Sequence, residues 1–137
     1  MRRAFLAVPV IALLVSGCGT ATETTQTEFK DTNQQQVVKV VDDLKTAASR
    51  GQSEKICNDI LATQLKTEIK NAGSTCLTEM DRVIKDASDY DLLVTDVKVT
   101  GNAATATVQQ GDDTKNVATF SFVKEKGAWR ASALGGA

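Results

Sequence analysis

Three cysteines are the side chains of this chain best suited to covalent chemistry. They are Cys18, Cys57 and Cys76, and the 137 residues include no histidine. A thiolate can carry a lipid, form a disulfide or bind a metal, but a structural zinc site takes four nitrogen or sulfur ligands. Since neither a histidine nor a fourth cysteine completes such a set, the sequence predicts no metal site and no cofactor.

The residues before Cys18 indicate export. Two arginines follow the first methionine, residues 4–15 are uncharged and largely apolar, and two small residues lead to the cysteine. A basic start, a short apolar core and a small-residue processing site are typical of a signal peptide. The 12 apolar residues are too few for a membrane-spanning helix, which needs about 20. We therefore expect residues 1–17 to be a cleaved signal peptide.

Val15-Ser16-Gly17-Cys18 resembles the lipobox of bacterial lipoproteins. The resemblance implies that the Cys18 sulfur carries a diacylglyceryl group and that the chain is cut directly before this residue. Two acyl chains bind a membrane stably, whereas one binds it marginally. It thus implies a protein anchored by fatty chains, such as palmitate, on the extracytoplasmic face of a cell membrane. The alternative is an ordinary secretory signal followed by an unrelated cysteine.

Cys57 and Cys76 remain once Cys18 carries the lipid. An exported protein meets an oxidising compartment, so an even remainder indicates a disulfide bond. Closing a loop of about 20 residues should stabilise the fold by roughly 3 kcal/mol. The alternative is a pair of buried free thiols.

The charge balance argues against nucleic acid as a partner. The chain has 16 basic and 17 acidic residues, and removing residues 1–17 takes away two arginines and no acid, which lowers the formal charge from −1 to −3. Phosphate binding needs a clustered excess of lysine and arginine. No such cluster is visible in the sequence.

Asp96 and Tyr90 are the candidates for acid or base chemistry. Asp96 falls inside a strand pattern and Tyr90 at a helix-to-strand junction, and a carboxylate or phenol there would act as general base or acid. For Asp96 a solvated strand face explains the residue equally well. Trp129, Phe120 and Phe122 are candidate pocket residues, together with Asp96, because aromatic side chains dominate ligand pockets. The aromatic residues also suit the core between sheet and helices.

The spacing of apolar residues predicts three helical stretches and then four strands. The helices run over about 33–49, from 53 through a continuation or restart at 63 to about 71, and from 74 or 75 to 87; Thr32 and Gln35 fit a capping box at the first start. After Tyr90 the period changes to two, with turns at Gly101-Asn102, residues 111–114 and 125–127. On this pattern Leu93, Val97 and Val99 share the inner face of the first strand.

This order predicts an α+β fold in which N-terminal helices cover one face of a curved four-stranded antiparallel meander. The predicted organisation is a signal peptide over 1–17, a lipidated flexible stalk over 18–31, and one domain over 32–135. The stalk prediction rests on a threonine-rich composition with one large apolar side chain, Phe29.

Helices first and then a meander that closes with Gly127-Ala128-Trp129-Arg130 resemble the NTF2-like, cystatin-like cone fold. More narrowly, the segment around Cys57 with its partner Cys76, and the run from Val94 to Val108, are similar to small lipoproteins of actinobacterial type. The resemblance covers about residues 33–134. It implies a concave pocket between sheet and helices, which family members use for catalysis, ligand binding or subunit contact.

These observations predict a surface-tethered, non-catalytic binding module for a cell-envelope protein or a small apolar ligand. Two alternatives stay open. One is an isomerase or dehydratase-like enzyme that uses Asp96 or Tyr90 in the pocket. The other is an inhibitor or exclusion lipoprotein that occludes an envelope target. Fold alone does not decide among them.

Overall fold

A computed structural model describes residues 28–135, with the helices first along the chain and the strands after them. The predicted signal peptide, Cys18 and most of the predicted stalk lie outside the described residues. The helices are α1 (Thr32–Ser49), α2 (Ser53–Lys55), α3 (Thr63–Asn71) and α4 (Cys76–Asp86), and a π-helical turn, Ile56–Ile60, follows α2 directly. The strands are β1 (Leu92–Thr100), β2 (Ala103–Gln110), β3 (Val117–Glu125) and β4 (Ala128–Leu134).

The first helix begins one residue earlier than its capping box predicts. Asp31 is the N-cap, and its carboxylate accepts hydrogen bonds from the backbone N–H groups of Asn33 and Gln34, at 2.9 and 3.2 Å. Aspartate is among the best N-cap residues because its side chain satisfies amide groups that the helix leaves free. The prediction that Thr32 caps the helix is therefore wrong by one position.

The second helical stretch is divided, so of the two possibilities at Thr63, a continuation or a restart, the structure has the restart. Within the π-helical turn the Leu61 amide donates to the Ile56 carbonyl at 3.0 Å, which is the i to i+5 bond of a π-helix. Leu61 then adopts an extended conformation, and the Ala62 amide donates to the Ala131 carbonyl at 2.8 Å. This short parallel bridge covers the outer edge of β4.

The four strands form an antiparallel meander in the order β1-β2-β3-β4, so the fold is α+β as the sequence predicts. In β1 the register passes from Val94 opposite Val108 to Asp96 opposite Thr107, which places a bulge at Thr95. Because a bulge inserts one residue, Val94 and Val97 both face the core. The prediction that Leu93 shares the inner face with Val97 is wrong for this reason.

The core lies between α1, the π-helical turn and the inner face of the sheet. Helix α1 contributes four side chains that repeat at helical spacing, Val37, Val41, Leu44 and Ala47. Helix α4 contributes Met80, while Leu77 and Val83 on the same helix are 48 % and 46 % exposed. The helical spacing of apolar residues predicts an inner-face position for both, and this prediction is wrong because α4 packs on α2, α3 and the π-helical turn and leaves part of its apolar stripe in water.

Cys57 and Cys76 form the predicted disulfide, with their Cα atoms 6.0 Å apart. The bond joins the π-helical turn to the first residue of α4. Cys57 is buried in the core and Cys76 is half-buried against it. The bridge therefore fixes α4, which has few core contacts of its own, to the rest of the helical layer.

Candidate functional site

A cleft of about 460 Å³ opens between α1 and one end of the sheet. The α1 side supplies Gln35, Val38, Asp42 and Lys45, and these residues follow one another at spacings of three, four and three. Residues at these spacings lie on one face of a helix. The face runs beside the core stripe of α1, so the same helix closes the core and lines the cleft.

The opposite wall comes from the start of β1 and the end of β2. Leu92, Leu93 and Val94 line it from β1, and Gln109, Gly111 and Asp112 line it from β2 and the loop that follows. Glu28 and Phe29 complete the cleft where the chain enters the domain. Apolar and acidic side chains together therefore define this surface.

Hydrogen bonds between backbone and side chains hold the ends of the cleft in place. The Gln35 side-chain amide donates to the Phe29 carbonyl at 2.8 Å, which pins the entering segment onto α1. The Gly111 amide donates to the Asp91 carbonyl at 2.8 Å. Gly111 has a φ of +69°, and a Cβ at this position would lie 2.9 Å from a carboxylate oxygen of Asp89. Glycine is favoured here for its backbone conformation, and a larger residue would also displace the Asp89 side chain.

One ion pair crosses the cleft. The Lys45 ammonium donates to the Asp91 carboxylate and links α1 to the segment before β1. Both side chains are largely exposed, so this pair adds little to stability. Its effect is to engage the only cationic side chain among the described residues that line the cleft.

The Asp42 carboxyl, which lines the cleft, has a shifted pKa. Partial burial raises the pKa of its carboxyl above the ordinary value, and the nearby Lys45 ammonium opposes this change with a smaller effect. Asp43 adds to the rise and Lys39 opposes it. The nearby lysines therefore do not fully offset the cost of burying the charged Asp42 carboxylate.

The aromatic residues that the sequence proposes for a pocket lie in the core. Phe120, Phe122 and Trp129 are 3 %, 1 % and 4 % exposed, and none of them lines the cleft. The Trp129 indole N–H donates to the Asn33 side-chain oxygen at 3.3 Å. The structure therefore uses these rings to hold the sheet against α1, the second of the two roles that the sequence leaves open for them.

The structure does not bring Asp96 and Tyr90 together. Asp96 lies exposed on β1 opposite Thr107. The Tyr90 hydroxyl donates to the Ile84 carbonyl at 2.7 Å and so fastens the end of α4. Neither residue lines the cleft.

Sequence reasoning missed the residues that do line the cleft. Phe29 is assigned by composition to the stalk, yet it packs against the core and lines the cleft. The signal was available, since Phe29 is the one large apolar residue between positions 19 and 30. The sequence also shows a helical stripe made of Gln35, Val38, Asp42 and Lys45. That this stripe lines a cleft can be seen only from the position of the sheet opposite it.

A second concave surface is wide and shallow. It lies at the other end of α1 and is lined by residues of the α1–α2 connection, the π-helical turn and α4. The Ser53 hydroxyl donates to the Asp81 carboxylate there, and Ser53 is buried. This contact joins α2 to α4 and leaves no enclosed space for a ligand.

Comparison with known proteins returned no matching family model, no similar curated protein and no similar solved structure. Within residues 28–135, no group of three or more histidine, cysteine, aspartate or glutamate side chains is arranged to hold a metal ion. In the same residues, no helix has the length and apolar character needed to cross a bilayer.

Proposed function

We propose that this protein is a lipid-anchored binding module of a bacterial cell envelope, which holds a small ligand in the cleft between α1 and the sheet. The observation that carries the proposal is the cleft itself. Its volume of about 460 Å³ falls within the range of about 300–1,000 Å³ that is usual for small-molecule sites. Its lining combines apolar side chains with a few polar groups, which is the usual composition of such sites.

The position of the cleft fits a tethered protein. Glu28 and Phe29 line it, and Glu28 lies ten positions after Cys18. Ten residues reach at most about 35 Å when fully extended. A lipid on Cys18 would therefore keep the cleft close to the membrane surface, within reach of molecules that partition there.

The resemblance to the NTF2-like cone supports the same site. In that fold the pocket lies between the helices and the sheet, and this cleft lies between α1 and β1. A binding role without catalysis is supported by the positions of Asp96 and Tyr90, because one faces solvent and the other holds a backbone carbonyl. Of the carboxylates that line the cleft, those of Asp42 and Asp112 accept no hydrogen bond within residues 28–135 and are available for recognition.

The experiment is methyl NMR on the mature lipidated protein in lipid nanodiscs, with phenylbutanol as a neutral probe. We expect concentration-dependent shifts at Val38, Leu92 and Leu93. Val83, which lies on α4 outside the cleft, should not shift. Nanodiscs without protein correct for probe that partitions into lipid.

The matched variant is Val38→Trp, which fills the cleft from the α1 side while leaving the buried residues of α1 unchanged. It should remove the shifts at Leu92 and Leu93. Shifts that persist in this variant, or that spread evenly over the domain, would refute the cleft as the binding site.

A further inference from the structure

The cleft leaves several apolar side chains partly exposed to water. Phe29, Val38, Leu92 and Leu93 line it, and each is only partly buried. Covering such side chains with an apolar body is favourable by about 25 cal/mol per Å² of surface removed from water. The walls thus favour a ligand with an apolar part.

The charges around this surface are unequal. Four carboxylates, those of Glu28, Asp42, Asp91 and Asp112, line the cleft together with one ammonium group, that of Lys45. Lys45 is already paired with Asp91. Asp42 and Asp112 accept no hydrogen bond from any residue in the described part of the chain, and burial raises the pKa of Asp42.

Each side chain of the cleft that can donate a hydrogen bond already donates one within the protein. The side-chain amide of Gln35 donates to the Phe29 carbonyl, and that of Gln109 donates to the Gly111 carbonyl at 3.0 Å. Lys45 donates to Asp91. An anionic ligand would have to compete for these donors, whereas a cationic ligand meets the carboxylates of Asp42 and Asp112, which accept no hydrogen bond within residues 28–135.

We infer that the cleft selects a small amphiphile with an apolar body and a protonated amine. The apolar body lies against Phe29, Val38 and Leu92, and the amine lies between the carboxylates of Asp42 and Asp112. The negative charge of the cleft carboxylates complements the positive charge of a protonated amine, so an amine is favoured over a neutral or anionic head group. This inference rests on the binding function proposed above and names its ligand class.

The test compares three probes with the same apolar body: phenylbutylamine, phenylbutanol and phenylbutyrate. At pH 7 the amine is protonated and the carboxylate is ionised, since their ordinary pKa values lie near 10 and 4. Using the same lipidated protein and methyl signals, we expect the amine to bind about tenfold more tightly than the alcohol and the carboxylate to bind most weakly. The advantage of the amine should shrink in high salt.

The matched variants are Asp42→Asn with Asp112→Asn inside the cleft, and Asp59→Asn outside it. The double variant should bring the amine to within about twofold of the alcohol and leave alcohol binding unchanged. Asp59→Asn lowers the negative charge of the chain as well but lies in the shallow surface at the other end of α1, so the amine should keep its advantage.

Each outcome separates the two proposals. Equal binding of the three probes, or tightest binding of the carboxylate, overturns the choice of an amine and leaves the cleft a binding site. An amine preference that survives in Asp42→Asn with Asp112→Asn also overturns it. Binding of none of the probes refutes the cleft as a small-molecule site and removes both proposals.

Discussion

Asn33 joins α1 to the sheet through its side chain. Its side-chain oxygen accepts from the Trp129 indole at 3.3 Å and from the Lys124 ammonium at 3.2 Å. The same ammonium lies 5.6 Å from the centre of the Trp129 ring. The Asn33 side chain, in the first turn of α1, thus supplies the acceptor for the buried indole N–H of Trp129.

Replacing Asn33 with alanine should destabilise the fold by about 1–3 kcal/mol, because the buried Trp129 N–H then loses its acceptor. Urea unfolding followed by the fluorescence of Trp129, the only tryptophan of the chain, measures the change. Asn58→Ala is the control, since the side chain of Asn58 is exposed and only its backbone carbonyl accepts a bond, from Arg130. Equal midpoints for Asn33→Ala and wild type would show that the indole bond contributes nothing.

Glu125 caps a helix that is distant in sequence. Its two carboxylate oxygens accept from the Thr63 amide and the Thr63 hydroxyl, both at 2.8 Å, and α3 has no side-chain cap of its own. Glu125→Ala should therefore cost about 1 kcal/mol, the usual loss for a helix N-cap. Thr63→Val, which removes the hydroxyl alone, should cost less, and the two changes should not add.

The same contact has a pH dependence of definite sign. The Thr63 amide and hydroxyl bonds lower the pKa of Glu125, so its contribution is present above the ordinary pKa near 4.3 and is lost as pH falls through the lowered value. The stability difference between wild type and Glu125→Ala, measured in urea, should accordingly be largest at neutral pH and shrink below about pH 4. A difference that grows with acid would contradict this account.

Among the elements, the regular ones follow from the sequence and the irregular ones do not. The two-residue alternation along β2 predicts an inner face made of Ala104, Ala106 and Val108, and all three are buried, because β3 pairs with this strand without a register shift. The bulge at Thr95 has no local signal, and it is the pairing with β2 that reveals it. An α-helix and a π-helical turn place Ile56 and Ile60 on nearly the same face, so the sequence does not distinguish them either.

The candidate site is even harder to predict from the sequence than the irregular elements are. The disulfide, which lies away from the cleft, could be predicted by counting cysteines, since the pairing needed only two thiols and an oxidising compartment. The cleft needed the distance between α1 and the end of β2, which depends on Gly111 and on the ion pair of Lys45 with Asp91. The aromatic residues could not be assigned from the sequence, because the large apolar surface of a ring suits both a core and a ligand pocket.

The disulfide should matter most for α4. Removing it with Cys57→Ala and Cys76→Ala should lower the free energy of unfolding by roughly 3 kcal/mol, as expected for a loop of about 20 residues. Unfolding in urea with and without a reducing agent provides the measurement, and the double variant must lose all sensitivity to the reductant. Hydrogen exchange should show the largest loss of protection in α4, where Met80 is the only fully buried side chain. Uniform loss over the sheet would contradict this role.

For the whole molecule, we assign membrane attachment to the proposed anchor and folding stability to the described domain. The core is built from α1, the π-helical turn, one residue of α4 and the sheet, all between Val37 and Ala131. Attachment at Cys18 lies nineteen positions before the first of these core residues. We therefore expect the lipid to determine where the domain is held and to leave the stability of its core unchanged.

Cys18→Ser tests this division in the full chain. Without the thiol no thioether to diacylglycerol forms, so the protein should move from the membrane pellet to the soluble fraction and lose labelled palmitate. The urea midpoint reported by Trp129 should match that of the wild-type domain, since Trp129 lies in the described core, far along the chain from Cys18. Cys57→Ala gives the opposite pattern: the protein should stay in the pellet and unfold at lower urea. Membrane association that survives Cys18→Ser would show that another segment holds the protein there, and the proposed tether would have to be abandoned.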